Sequence, residues 1–79
     1  MNTLKEDAQS VGNVLLDIGA TLMSSGASTN RTRVTMERTA RGLGYGIELL
    51  ITQRALMLTI IEKDQQHFFS RLKGSLHMG

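Results

Sequence analysis

Leu4, Ala8, Val11, Leu15, Ile18 and Leu22 follow one another at intervals of four, three, four, three and four residues. At 3.6 residues per turn that spacing draws a single apolar stripe, so it predicts an amphipathic helix over the first quarter of the chain. Leu16 and Met23 widen the stripe on one flank. Asn2 or Thr3 can cap its start, with Glu6 and Asp7 in the first turn, and Gly26 can end it in the left-handed conformation. A second helix is expected from about Thr29 to Leu43, capped by Ser28, with Met36, Ala40 and Leu43 on a thin apolar face. The stretch "GLGYG" stops it, because three glycines in five residues oppose helix continuation.

After Gly46 the apolar period changes from 3.6 to two. "IELLITQ" sets Ile47, Leu49 and Ile51 on one face and Glu48, Leu50 and Thr52 on the other. "ALMLTII" follows a tight connection at Gln53 and Arg54. "EKDQQ" reads as a polar turn and "HFFSRLK" as a third, more exposed strand. Short connections favour an antiparallel meander. The expected fold is therefore α+β: two helices packed on a small three-stranded antiparallel sheet, in the order α-α-β-β-β, with residues 1–79 as a single domain.

Composition changes this picture little. The chain has 79 residues, is 41% hydrophobic and carries no cysteine, which excludes a disulfide scaffold and a thiolate metal site. So small a core contributes only a few kcal/mol of net stability, and a partner, a homodimer contact or an adjoining part of a longer polypeptide would add to it. A net charge of +2 does not by itself imply nucleic-acid binding. "IELLI" and "ALMLTII" fall far short of the ~20 apolar residues of a membrane span.

"SSGASTNRT", residues 24–32, is the segment in which a site could hide. A phosphate-binding loop needs a preceding strand and a glycine-lysine-hydroxyl ending. Here a helix precedes and no lysine follows, so the segment reads as the corner between two helices. The second helix still begins there with free N–H groups, and Arg31 stands beside them, so a carboxylate could bind. Arg31, Arg38 and Arg41 fall within about a quarter-turn of one another at ~100° per residue, forming a basic stripe. That stripe is either a solvated face, salt-bridged through Glu37 to Arg33 or Arg41, or the contact for an anionic partner. With no aromatic stacking partners nearby and few lysines, nucleic acid ranks last among such partners. His67 and His77 lack metal-ligand spacing, Glu62 to Asp64 reads as turn chemistry, and no serine has a triad. The expectation is a protein that is no enzyme, with no catalytic residue, metal site or cofactor.

The run "LLDIGATLMSSGASTNRTRVTMERTARGLG", followed by "IELLITQRALMLTI", resembles the N-terminal domain of the threonine/serine exporter family. The resemblance spans roughly residues 11 to 72. Gly26, Ala27, Thr29 and Arg31 match a "GAE-T-x-R" corner, and Glu37, Ala40, Leu43 and Gly44 match an "E-x-x-A-x-x-LG" helix ending. Ser28 replaces the acid of that corner, and Gln53-Arg54-Ala55 replaces a "P-T-G" between the first two strands. The resemblance implies the hydrophilic part of a proton-driven bacterial inner-membrane exporter, on the cytoplasmic side, preceding transmembrane helices absent from this chain. On this basis the chain would be accessory or regulatory to amino-acid efflux. Thr29 and Arg31 are the candidate substrate or anion contacts, and the stripe of Arg31, Arg38 and Arg41 the surface for anionic lipid, transporter loops or a substrate carboxylate. The alternative is a self-associating interaction module, a homodimer without a transport role.

Overall fold

A computed structural model describes residues 7–72. Helix α1 spans Ala8–Ser24 and α2 Thr29–Gly42, and strands β1 (Gly46–Ile51), β2 (Ala55–Ile61) and β3 (Gln66–Leu72) follow. The sheet is antiparallel with β2 in the middle. The fold is the expected α+β arrangement in the expected order.

The start of α1 differs from expectation. Asp7 is its N-cap, accepting a hydrogen bond from the Ser10 amide at 2.9 Å, so Asp7 lies before the first turn and not within it. Asn2, Thr3, Leu4 and Glu6 lie outside the described residues. Because the Asp7 carboxylate accepts that amide bond, its pKa is held below the ordinary aspartate value.

Both helices end alike. Gly26 and Gly44 take positive φ, 92° and 91°. The amides of Gly26 and Ala27 bond to the carbonyls of Met23 and Leu22, and those of Gly44 and Tyr45 to Arg41 and Ala40. These are two Schellman endings, which satisfy carbonyls that would otherwise be left bare. At the second one Leu43 becomes the C-cap and is exposed, not part of the buried face expected for it.

The core is built where the two periodicities meet. Val11, Leu15 and Leu16 of α1 pack with Met36 and Ala40 of α2 against Leu56, Leu58 and Ile60 of the central strand. Ile47, Leu49 and Ile51 flank them from β1, as the alternation requires, and Phe69 from β3. Gly19 lets Met36 approach α1: a Cβ there would stand 2.7 Å from the Met36 sulfur. Gly12 does the same for the Phe69 ring, which occupies the space a Cβ would take. Helix α1 thus lies over β2 and β3, and α2 over β1.

Neither hairpin turn needs glycine or proline. Thr52 Oγ1 accepts from the amides of Arg54 and Ala55 at 3.2 and 3.0 Å, closing the β1–β2 turn. Glu62 and Gln65 exchange backbone hydrogen bonds around Lys63 and Asp64, closing the β2–β3 turn.

Candidate functional site

The corner between the helices is occupied first by its own architecture. The hydroxyl of Ser28 caps α2, accepting the Arg31 amide at 3.0 Å. The amide and the hydroxyl of Thr32 both donate to the Ser28 carbonyl, at 3.0 and 2.9 Å. The same hydroxyl lies 3.3 Å from the sulfur of Met23, across the helix pair. Thr32 is fully buried although it is polar. Its hydroxyl is satisfied locally by the carbonyl four residues back, so burial leaves no polar atom bare. Capping therefore uses one of the N–H groups that an anion at this helix start would need.

Thr29 and Arg31 are both exposed at the start of α2. The structure brings Arg31 together with Arg38 and Arg41 instead. Thr32, Met36 and Ala40 face the core, which turns the three arginines to the opposite, outer side of α2. Among the described residues none of the three guanidinium groups has a hydrogen-bond or ion-pair partner. At 1.5 Å rise per residue the stripe extends about 15 Å. Val34 lies among them, exposed, and Arg33 projects elsewhere to donate to the Leu49 carbonyl at 3.4 Å, tying α2 to β1. Glu37 makes no ion pair with Arg33 or Arg41, contrary to the solvated-face expectation that salt-bridges them. Among the described residues the stripe is thus a cationic surface whose guanidinium groups make no ion pair, with Glu37 lining the same hollow as Arg41.

Two side-chain contacts could not be read from the sequence. His67 Nε2 lies 2.8 Å from Glu62 Oε1, both half-buried at the β2–β3 turn. Arg71 reaches from β3 to Asp17 of α1 at 2.6 Å, 54 residues away in the chain. His67 therefore has a side-chain partner, and Glu62 does more than turn the chain. An open groove of about 640 Å³ lies between this turn and the end of α2, lined by Leu43, Tyr45, Glu62 and Asp64 among others. No group of three or more histidine, cysteine or acidic side chains is placed to hold a metal ion among the described residues. His77 lies outside them.

No helix among the described residues is long and apolar enough to cross a membrane. A family model described as "Putative threonine/serine exporter" matches residues 13–75. No curated protein and no solved structure matches the chain. The matched span holds the corner, all three arginines and the whole sheet.

Proposed function

The chain belongs to the threonine/serine exporter family, and from that premise we propose that it is the cytoplasmic, membrane-facing domain of an inner-membrane exporter, accessory or regulatory to amino-acid efflux and itself no enzyme. The transmembrane part of that exporter would be its partner. The observation that supports this reading is the outer face of α2, where Arg31, Arg38 and Arg41 are exposed and unneutralised among the described residues. Three cations on one flat helix face suit anionic lipid headgroups at the cytoplasmic leaflet, each contributing about 1 kcal/mol near such a surface. Arg31 forms the end of that face nearest the corner and serves it as an anion contact, with Thr29 exposed beside it at the helix start but on the other side of the helix. A built substrate pocket is not part of the proposal.

Co-sedimentation with phosphatidylglycerol vesicles tests the reading. Three arginines at about 1 kcal/mol each correspond to a loss of roughly 100-fold in partitioning for the Arg31→Ala/Arg38→Ala/Arg41→Ala variant. Binding to these vesicles should weaken with salt and be absent with neutral phosphatidylcholine. Equal binding by the triple variant would sink the headgroup contact. Calorimetric titration with threonine and serine is expected to give no saturable heat; saturable heat lost on Arg31→Ala would turn the anion contact into a substrate site.

A further inference from the structure

The furrow between the two helices borders the arginine stripe, and the stripe alone does not account for it. Asp17, Ile18, Thr21 and Leu22 of α1 and Thr35 of α2 line an open groove of about 320 Å³. Three of these five residues are polar, yet the surface they present to the groove is almost wholly apolar. The one acid among them, Asp17, is paired with Arg71 of β3 at 2.6 Å. Thr35 stands four residues after Arg31 and three before Arg38, the two spacings that make neighbours on a helix surface. Both arginines therefore flank the α2 wall of the groove, and neither guanidinium has a hydrogen bond or ion pair among the described residues. Arg41 lies about 120° round α2 from Thr35 at ~100° per residue, so it belongs to the stripe but not to the groove.

We infer that the groove seats one acyl chain of an anionic phospholipid, with Arg31 and Arg38 holding the headgroup. The inference rests on the membrane reading of the outer face of α2 and adds to it a defined lipid site. Size restricts the occupant. The volume is at the low end of the roughly 300–1,000 Å³ of small-ligand sites. The helices are in close contact at Gly19 and Met36, each one residue along the chain from a groove residue, Ile18 and Thr35. A third helix, roughly 10–12 Å across with its side chains, would ride on so narrow a furrow, whereas an unbranched hydrocarbon chain lies within it. Charge restricts the occupant further. A neutral apolar segment would leave both arginines without a partner, while a phosphodiester beside the chain accepts hydrogen bonds from both. Tail and headgroup are thus met by adjoining parts of one surface.

Two-dimensional amide NMR of the full 79-residue chain with dihexanoyl phosphatidylglycerol, kept below its micelle concentration, tests the inference. Such monomers offer headgroup and chains without a membrane surface. Saturable shifts are expected at Ile18, Thr21, Leu22 and Thr35, and none at Phe68 or Ser70, exposed on the sheet face turned away from both helices. Arg31→Ala/Arg38→Ala should weaken this binding roughly tenfold or more, and Arg41→Ala should leave it unchanged. Thr21→Phe, at an exposed position of α1, fills the groove and should abolish the shift at Thr35 with the far-UV circular dichroism unchanged. Glycerol 1-phosphate, a headgroup without chains, and dihexanoyl phosphatidylcholine, chains without net charge, should not saturate. The inference is overturned if the phosphatidylglycerol monomer gives no saturable shift or if phosphatidylcholine binds equally well. It is also overturned if shifts at the groove follow protein concentration and not lipid, which assigns the groove to a second copy. Vesicle binding reports on the stripe separately. Vesicle binding with silent monomers keeps the stripe and removes the groove, and saturable monomers without vesicle binding do the reverse.

Discussion

Gly12→Ala should be destabilising in the native chain and stabilising once the Phe69 ring is shortened. Gly12 is buried in the interior of α1, where alanine is favoured over glycine by about 1 kcal/mol of helix propensity. Against that gain, three atoms of the Phe69 ring occupy the place of the new methyl group. Phe69 cannot simply swing away, because it packs against the core beneath α1. Forcing a methyl group into a filled site costs about 1–3 kcal/mol. The net effect is therefore a loss of about 0–2 kcal/mol, out of a total of roughly 4–12 kcal/mol for a domain of this size. Phe69→Leu removes the ring atoms concerned. In that background Gly12→Ala should gain up to about 1 kcal/mol, so the coupling between the two sites is about 1–3 kcal/mol. Urea denaturation of the four proteins, compared at constant m-value, measures the cycle. The account of α1 resting on β3 through a glycine is wrong if Gly12→Ala has the same effect in both backgrounds.

The Asp7 cap has a pH signature. Its folded pKa is depressed, so its contribution to α1 is present above the ordinary aspartate value and is lost as pH falls through the lower folded value. Thermal melts should show stability declining on acidification below about pH 4, and Asp7→Asn, which keeps a capping oxygen, should flatten that part of the profile. At the end of α2 two neighbouring glycines should respond with opposite signs. Gly44→Ala places a side chain at φ 91° and should cost about 1–2 kcal/mol. Gly42→Ala lies in the helix with open space around it and should gain about 0.5–1 kcal/mol in the same denaturation assay.

The elements themselves were legible because each rests on a local period. The stripe through Val11, Leu15 and Ile18 marks α1, and the alternation of Ile47, Leu49 and Ile51 marks the inner face of β1. Gly26 and Ser28 together specify the corner, since a left-handed ending and a hydroxyl cap are both short-range chemistry. What could not be read depends on positions brought together only by folding. Asp17 and Arg71 carry no sequence signal for each other. Thr32 was missed because a hydroxyl reads as polar. The available signal was its place four residues before Met36, where threonine can bond back to the carbonyl of Ser28. Leu43 was misplaced because the helical wheel extends past Gly42, the last helical residue, onto the C-cap position. The three arginines could be assigned to one face, but not their lack of an ion-pair partner among the described residues, which depends on where the Glu37 side chain settles. The apolar outer sheet face was half legible: Leu50 was placed there beside Glu48, yet only the register brings Phe68 and Leu72 onto the same side.

The central claim assigns the outer face of α2 to the membrane. An environment-sensitive fluorophore at Val34→Cys, read against the same label at Ser70→Cys, tests it most directly. On addition of phosphatidylglycerol vesicles the account predicts a blue shift at Val34→Cys alone, reversed by salt and missing when Arg31, Arg38 and Arg41 are alanine. A shift at Ser70→Cys alone, or one at Val34→Cys that persists without the arginines, would contradict it.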